Sequence, residues 1–375
     1  MTDAAKFQWL KTGDEAFGAM LGAIEGARQS VRLQTYIFVQ SELGTVFRTA
    51  LARACQRGTR VQVLIDALGS LELSAGFWAP LTAAGGEFRW FNPLRLERLA
   101  YRDHRKVLVC DDEEAFVGGF NIAPEYQGDG VRRGWRDVGL RVSGPLARAL
   151  AQSFDGQFER ADFRHRRFAR WGKPPFPGRV STPDGELLLS GGGRSRNLIK
   201  RALLADLKQS TSARIMSAYF LPTWRLRHQL MRLARSGHSV QLVLAGKSDV
   251  ALAQLASQRI YQPLLRAGVE IYEYQPQVLH AKLFLINHAV YVGSANLDAR
   301  SLNINYELLL RLPNERLVAE AEALFAADLK HCLRVDPESW GAARSAWRKL
   351  RERWAYFILA RVDQYIARRQ LKWLR

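Results

Sequence analysis

The sequence predicts an α/β fold in which two similar lobes each contain a mainly buried, mixed β-sheet flanked by helices. Apolar runs alternate with amphipathic helical patterns along the 375 residues, which is typical of α/β units with buried strands. The same order of elements then occurs twice. Short sequences also recur, because a helix closed by Gly58 precedes TRVQVL and a helix closed by Gly237 precedes HSVQLVL.

The first half is predicted to alternate helices and strands up to a His-containing segment. Its elements, in order, are a helix over Glu15–Arg28, a strand over Val31–Val39, a helix ending at Gly58, the strand RVQVLID ending at Asp66, a less regular helical region, the strand EFRWF and the segment YRDHRKVLVCD.

The second half repeats this order. Its elements are a helix over Asn197–Gln209, the strand RIMSAYF, a helix ending at Gly237, the strand VQLVLA, a helix over Asp249–Ala267, the strand VEIYEY and the segment LHAKLFLIN. Between the halves, Arg160–Arg179 combines positive charge with prolines, which indicates a segment outside the core. We therefore expect a first lobe over residues 1–160, an interlobe segment over 161–190, a second lobe over 191–335 and a basic amphipathic C-terminal helix over 336–375.

Each half carries a His-x-Lys pair at the start of a predicted strand. Residues two apart on a strand point to the same face, so each pair should project together from a rigid element. An ammonium group can neutralise a phosphate oxygen while an imidazole attacks or donates a proton. A single such pair is more often a surface feature, but two at matching positions predict phosphate chemistry. The repeated residues are His104, Lys106, Asp111 and Asn121 in the first half and His280, Lys282, Asn287 and Asn296 in the second.

A carboxylate at the head of a later strand is expected to orient each histidine. The strand DVGLRV begins at Asp137 and ELLLRL begins at Glu307, each at a similar distance beyond the histidine of its own half. A histidine that reacts through one ring nitrogen needs a partner on the other to fix its tautomer. The repeat therefore assigns Asp137 to His104 and Glu307 to His280; the alternative is that both acids are exposed strand ends.

These motifs resemble the signature of the phospholipase D superfamily, H-x-K-x4-D followed by G-[GS]-x-N. Here the signature reads HRKVLVCD with GGFN, and HAKLFLIN with GSAN. The similarity extends over nearly the whole chain. Within the superfamily the chain is most similar to bacterial cardiolipin synthases, on the segments GDEAFGAMLGAIEGAR, LQTYIF, FNP, DHRK, WRDVGLRVSGP, AYFLP and GSANLDARSLNINYE.

The resemblance implies two phospholipase D-type lobes related by a pseudo-twofold axis, which share one site at their interface. It also implies chemistry that uses no metal and no cofactor. His104 would attack phosphorus, and His280 would protonate the leaving alcohol and then activate the acceptor. Phosphatidylglycerol would be the substrate and cardiolipin, or a related phospholipid, the product. The implied phosphate ligands are Lys106, Lys282, Asn121 and Asn296.

The second motif departs from the signature, because Asn287 stands where the family usually has Asp. Asparagine carries no negative charge, so any effect of this residue on His280 should be weakened and the catalytic efficiency lowered. Tyrosyl-DNA phosphodiesterases, another branch of the superfamily, also lack this Asp. Glu307 is expected to orient His280 in its place.

The composition restricts the cellular location and the class of binding partner, but it does not identify one partner. The net charge of +19 favours binding to polyanions such as lipid headgroups or nucleic acid.

The sequence contains no apolar run near the roughly 20 residues of a membrane span, and its N-terminus lacks the features of a signal peptide. Three scattered cysteines fit a reducing compartment. We expect a cytoplasmic protein peripheral to the inner membrane. A hydrolase or nuclease acting on nucleic acid and a non-catalytic lipid-binding scaffold remain alternatives, and the oligomeric state is not predicted.

The stretch Arg344–Arg375 has ten Lys or Arg and two acidic residues. Such a helix either lies in the interface of an anionic membrane or packs its apolar stripe on the lobes. The stripe consists of Trp347, Leu350, Trp354, Phe357, Ile358, Tyr365 and Ile366.

Overall fold

Two large mixed β-sheets flanked by helices form the protein, which confirms the predicted α/β class. The structure is a computed structural model that describes residues 6–94, 99–161, 178–191, 197–342, 344–363 and 365–366. Most of the basic segment expected between the lobes lies outside these ranges.

The first lobe is built on a seven-stranded sheet. Its elements are β1 (Phe7–Leu10), α1 (Gly13–Gly26), β2 (Ser30–Thr35), α2 (Glu42–Gln56), β3 (Arg60–Asp66), α3 (Ala79–Ala83), β4 (Glu87–Phe91), β5 (Val107–Cys110), β6 (Glu114–Gly118), β7 (Gly139–Ser143) and α4 (Pro145–Phe158). The strand order is β1-β7-β6-β5-β2-β3-β4.

The second lobe is built on a nine-stranded sheet. Its elements are β8 (Arg179–Thr182), β9 (Gly185–Ser190), α5 (Leu198–Gln209), β10 (Ser212–Ser217), β11 (Phe220–Leu221), α6 (Trp224–Arg235), β12 (Ser239–Ala245), α7 (Ala251–Gln258), α8 (Tyr261–Leu265), β13 (Glu270–Tyr274), β14 (Lys282–Ile286), β15 (Ala289–Gly293), β16 (Leu297–Asp298), β17 (Glu307–Leu312), α9 (Glu315–Leu329), β18 (Cys332–Arg334), α10 (Pro337–Ala342) and α11 (Ala346–Phe357). The strand order is β18-β13-β12-β10-β14-β15-β17-β9-β8, and β11 pairs with β16 separately.

Six strands of each sheet follow the same order, so the internal repeat extends to topology. The order β7-β6-β5-β2-β3-β4 corresponds to β17-β15-β14-β10-β12-β13. In both lobes the central strand is parallel to one neighbour and antiparallel to the other. The registers also agree, because Ser30 pairs with Arg60 and Ser212 pairs with Ser239.

Local signals explain where the helices begin and end. The side chains of Thr12, Ser41 and Asn197 each accept a backbone N–H of the first helical turn, as N-cap residues do. Gly58 and Gly237 follow the ends of α2 and α6 with φ of 88° and 81°. This left-handed conformation is the one in which glycine commonly terminates a helix, so the predicted ends of both helices are confirmed.

Several predicted boundaries differ from the structure, two of them in ways that change the elements of the second lobe. The single helix expected over Asp249–Ala267 is two helices, α7 and α8. Pro263 has no N–H to donate and is tolerated only in the first turn of a helix, so the helix restarts at Tyr261. The strands β8 and β9 also belong to the second sheet, which therefore begins at Arg179 and not after residue 190. The prolines and charges of this region obscured the short apolar run LLL within β9.

The two sheets pack on each other through a shared apolar core, in which β6 and β7 contact β15. Side chains of both lobes contribute to this core, among them Val117, Leu140, Val292 and Leu310. The core also includes residues of α4 and α9. The lobes therefore form one packed body, which fixes the loops at their common edge.

The C-terminal helix α11 packs on the second lobe through one face and exposes the opposite one. Glu352 and Ala355 are buried on its inner face. All seven residues of the apolar stripe are exposed, with Trp347 at 69% and Trp354 at 60%. The stripe therefore does not pack on the lobes. None of the helices in the described ranges has both the length and the apolar character needed to cross a bilayer.

Candidate functional site

Each histidine segment is joined to the other lobe by backbone hydrogen bonds. His104 lies just before β5, and its N–H donates to the carbonyl of Tyr306 at 2.9 Å. His280 lies just before β14, and its N–H donates to the carbonyl of Arg136 at 2.7 Å. Both contacts belong to isolated parallel bridges between the lobes. The heads of β7 and β17 are thereby placed beside the histidines of the opposite lobes.

These backbone hydrogen bonds between the lobes determine which carboxylate orients which histidine. His104 Nδ1 lies 3.0 Å from Oε1 of Glu307, and His280 Nδ1 lies 2.7 Å from Oδ2 of Asp137. The repeat identified both acids, but the assignment of each acid to the histidine of its own half is wrong. Glu307 does not orient His280; it contacts His104. The physical reason is the pair of bridges between the lobes, which the spacing within one half does not reveal.

The carboxylates leave Nε2 as the reactive nitrogen of each histidine. A carboxylate at Nδ1 favours the tautomer with the proton on that nitrogen. The Nε2 atom of His280 lies 3.3 Å from the hydroxyl of Tyr126. Aromatic rings also hold the imidazoles, since Tyr36 lies 5.0 Å from His104 and Trp135 lies 5.6 Å from His280 between ring centroids.

Both histidines line one pocket of about 390 Å³. Asn121 and Asn296 also line it, as the motifs predicted. The two lysines lie beside the histidines and are buried. Lys106 Nζ donates to the carbonyl of His104 at 2.7 Å, and Lys282 Nζ lies 2.8 Å from His280 Nδ1.

The two asparagines fasten the ends of the central strands to the pocket. Asn121 Oδ1 accepts the N–H of Ile37 at 3.0 Å, and its Nδ2 donates to the hydroxyl of Tyr126 at 2.6 Å. Asn296 Oδ1 accepts the N–H of Tyr219 at 3.4 Å. The contact of Asn121 with Ile37 holds the backbone just after Thr35, where β2 ends earlier than the predicted strand.

Burial keeps His104 neutral, whereas the groups around Glu307 keep its carboxylate ionised. Burial lowers the pKa of His104 to about 4, although Glu307 opposes this shift. Burial also lowers the pKa of Lys106 to about 7. Burial disfavours ionisation of Glu307, but its interaction with His104, the charge of Lys106 and a 2.5 Å hydrogen bond from Ser294 lower its pKa overall. His104 therefore presents a free lone pair at neutral pH.

The second histidine has a different electrostatic environment. Burial raises the pKa of Asp137 to about 7, with Lys282 opposing. Burial, together with the charges of both lysines, lowers the pKa of His280 well below its usual range. Burial also lowers the pKa of Lys282 to about 8. An anion in this pocket would compensate the lysine charges and favour protonation of His280.

The difference between GGFN and GSAN follows from the two carboxylates. A Cβ atom at Gly119 would lie 2.3 Å from both carboxylate oxygens of Asp137. At the matching position of the second lobe, the hydroxyl of Ser294 donates to Glu307. Gly119 therefore leaves space for the carboxylate of Asp137, whereas Ser294 hydrogen-bonds the carboxylate of Glu307.

Asp111 and Asn287 lie away from the reacting groups. Asp111 Oδ1 accepts the N–H groups of Gln29 and Ser30 at 2.7 and 2.8 Å, and Asn287 Oδ1 accepts the N–H of Thr211 at 2.8 Å. A strand rises roughly 3.3 Å per residue, so both residues lie at the opposite ends of β5 and β14 from the histidines. The expectation that Asn287 weakens the tuning of His280 is therefore wrong, since its side chain fixes a turn at the far end of β14.

Most residues of the pocket wall were not predicted from the sequence. Five aromatic residues and a group of charged side chains line the pocket beside the histidines. The quoted segments LQTYIF, WRDVGLRVSGP, AYFLP and GSANLDARSLNINYE contained much of the signal, but no spacing rule marked their members as wall residues. The missed aromatic and charged residues are Tyr36, Arg102, Tyr126, Trp135, Tyr219, Phe220, Asp249, Asp298, Arg300 and Asp363. Within the described ranges, no group of three or more His, Cys, Asp or Glu residues is arranged to hold a metal ion.

Comparison with known proteins identifies the family. The family profile described as "Cardiolipin synthase, PLD-like domain" matches residues 20–161 and 203–329. The chain is 34% identical over 370 residues to cardiolipin synthase B of Salmonella typhimurium, covering 94% of this chain and 87% of that protein. It is 32% identical over 353 residues to cardiolipin synthase 1 of Bacillus cereus, covering 89% of this chain and 68% of that protein.

A solved structure shares the fold across the whole chain. The crystal structure of phosphatidylserine synthase from Haemophilus influenzae superposes with a TM-score of 0.75 at 15% identity, covering 97% of this chain and 95% of that one. Together, the duplicated motifs, the family match and the relatives lead to one conclusion. The chain is a phosphatidyltransferase of the phospholipase D superfamily and belongs to the family of cardiolipin synthase, PLD-like domains.

Proposed function

We propose that this enzyme makes cardiolipin from two molecules of phosphatidylglycerol through a phosphohistidine intermediate on His104. The observation that supports the proposal best is the single pocket lined by two imidazoles, each held at Nδ1 by a carboxylate of the opposite lobe. The names of the relatives, cardiolipin synthases of Salmonella typhimurium and Bacillus cereus, agree with this product.

In the first step, Nε2 of His104 attacks the phosphorus of the donor lipid. The N–P bond forms as the bond from phosphorus to the terminal glycerol oxygen breaks, and His280 donates a proton to that oxygen. Glu307 stabilises the positive charge that develops on His104. Free glycerol leaves, and the phosphatidyl group remains on His104.

In the second step, a hydroxyl group of a second phosphatidylglycerol attacks the same phosphorus. His280, now neutral, accepts the proton of this hydroxyl group, since a general acid in one direction is a general base in the other. The new O–P bond forms as the N–P bond breaks. The product is cardiolipin, and both histidines return to their starting states.

The buried lysines favour an anionic substrate. Their pKa values of about 7 and about 8 reflect burial, which the carboxylates of Glu307 and Asp137 offset only in part. A phosphodiester in the pocket supplies further negative charge. Lys106 and Lys282 therefore bind the phosphate group in protonated form, and they stabilise the additional charge of the transition state.

We further propose that the enzyme works at the cytoplasmic surface of the inner membrane, where its substrate resides. The exposed stripe of α11 includes Trp347, Trp354 and Phe357. Basic residues lie among them on the same helix, and aromatic and basic residues together favour the interface of an anionic bilayer.

Product analysis tests the proposed reaction. Purified protein is incubated with phosphatidylglycerol vesicles, and the lipids are separated and identified by mass spectrometry. We expect cardiolipin and an equal amount of free glycerol. Phosphatidic acid as the main product would indicate a hydrolase. Cleavage of single- or double-stranded DNA in parallel reactions without any lipid turnover would indicate a nuclease.

Substitution of the histidines tests the intermediate. His104→Ala should abolish turnover, whereas His280→Ala should accumulate a phosphoenzyme with a donor whose leaving group needs no proton. The matched control is His288→Ala, because His288 is exposed on a turn. Full activity in both pocket variants would refute the mechanism.

A further inference from the structure

A second cavity lies directly beside the catalytic pocket. This groove has a volume of about 720 Å³, within the usual range of small-molecule sites, roughly 300–1,000 Å³. It runs between the start of α6 and the C-terminal end of α11 with the π-helical turn Ile358–Val362 that continues it. The mechanism proposed above does not use it.

The groove adjoins the catalytic pocket. Leu221 and Ala299 line both cavities, so the two cavities meet at these residues. A ligand with its phosphate at the histidines could therefore extend an apolar portion past these two residues without crossing the protein core.

The chemistry of the groove suits a hydrocarbon chain. Its walls include Trp224, Tyr356, Phe357 and Ala360. Apolar ligands are held by burial of apolar area, which needs no directional partner. Arg361 is the only residue with a full charge among those that line the groove in the described part of the chain.

The groove opens on the exposed stripe of α11. Phe357 belongs both to the stripe and to the groove wall, and Trp224 at the groove edge is 65% exposed. Large apolar side chains that are exposed together mark an interaction surface. Arg351, Arg353 and Arg361 are exposed on the same segment, which gives this surface the charge that attracts anionic lipid.

We propose that the groove binds one acyl chain of the phospholipid whose phosphate group reaches His104. The proposal rests on the proposed function for the identity of the headgroup. The groove draws the chain out of the bilayer at the stripe, and the two residues shared by the cavities mark the passage between chain and headgroup.

Photochemical labelling tests the groove. The probe is phosphatidylglycerol with a diazirine near the end of one acyl chain, mixed into vesicles and irradiated with the full-length protein. Peptide mapping should place the label on residues 221–224 and 356–362. Dioleoyl phosphatidylglycerol should suppress this labelling at a much lower concentration than water-soluble dihexanoyl phosphatidylglycerol, because only the longer acyl chain fills the groove. Label confined to other surfaces, or suppression by both lipids at the same concentration, would overturn the proposal.

A pair of alanine substitutions provides the matched control. Ala360→Trp fills the groove, whereas Ala346→Trp adds the same bulk at an exposed position at the start of α11. Ala360→Trp should reduce groove labelling about tenfold, the loss expected when roughly two methylene groups lose their buried contacts. Ala346→Trp should leave it unchanged. Undiminished labelling in a folded Ala360→Trp protein would count against the groove.

Turnover separates this proposal from the proposed function. If the wild-type protein makes no cardiolipin but the groove is labelled, the assigned reaction fails and the groove stands. If cardiolipin forms and the groove stays unlabelled, the groove alone is refuted.

Discussion

Glu307→Gln and Asp137→Asn should impair different steps, because each acid contacts a histidine with a different role. Glu307 lies 3.0 Å from Nδ1 of His104. At an effective dielectric constant of about 20, unit charges at that distance interact by roughly 5 kcal/mol. The amide dipole of glutamine replaces part of this interaction. A remaining loss of about 3 kcal/mol would slow attack on phosphorus about a hundredfold.

The Asp137→Asn variant should keep the first step and lose the second. With a nitrophenyl leaving group, which needs no proton from His280, the phosphoenzyme should form at nearly the wild-type rate. Transfer to an alcohol still requires His280 as a base, so this step should slow about a hundredfold. The phosphoenzyme should therefore accumulate in Asp137→Asn and form slowly in Glu307→Gln.

Rapid mixing with detection of nitrophenol gives the rate of the first step, and mass spectrometry after an alkaline quench gives the amount of phosphoenzyme. Glu322→Gln is the matched control, since Glu322 pairs with Arg214 on the surface. If Asp137→Asn blocked formation of the phosphoenzyme while Glu307→Gln accumulated it, each acid would serve its own half and the crossed arrangement would be refuted.

Three further predictions follow from the same site. The value of kcat/KM should fall as pH rises through about 7 to 8, because Lys106 and Lys282 have lowered pKa values and lose their positive charges in that range. Initial rates on phosphatidylglycerol measure this dependence. A flat profile up to pH 9 would exclude the role of the two lysines as cationic ligands. Asn287→Asp should leave kcat within about twofold of wild type, because the residue holds a turn away from the pocket; a large increase in kcat would show that it tunes the site. Gly119→Ala should abolish turnover, since its Cβ atom would displace the carboxylate of Asp137; wild-type kcat in this variant would contradict the packing described.

The fold and the motif residues were accessible from the sequence because they depend on local patterns. Apolar runs, helix-ending glycines and the recurrence of VQVL and VQLVL gave the order of elements in both lobes. The shared order of six strands in the two sheets agrees with that repeat. The break between α7 and α8 was missed because the apolar pattern continues through Pro263. The helix is interrupted there because proline has no backbone N–H to donate.

The contact of each acid with the histidine of the opposite lobe could not be predicted from the sequence. The spacing from His104 to Asp137 resembles that from His280 to Glu307, and spacing within a half cannot show that each acid faces the opposite half. That fact depends on the two bridges between lobes. Asp111 belongs to the sequence signature, but this did not mean that it lies at the reacting groups. It is seven positions after His104 on an extended chain and therefore lies far from that histidine.

The crossed carboxylates also determine which residues can be exchanged together between relatives. A chimaera that takes its first half from one enzyme and its second from another combines each imidazole with a foreign acid. Aspartate and glutamate differ in reach by one methylene group, and the neighbouring glycine or serine is matched to that length. The coherent module for recombination is therefore the histidine of one half with the acid of the other, although these residues are far apart in the chain.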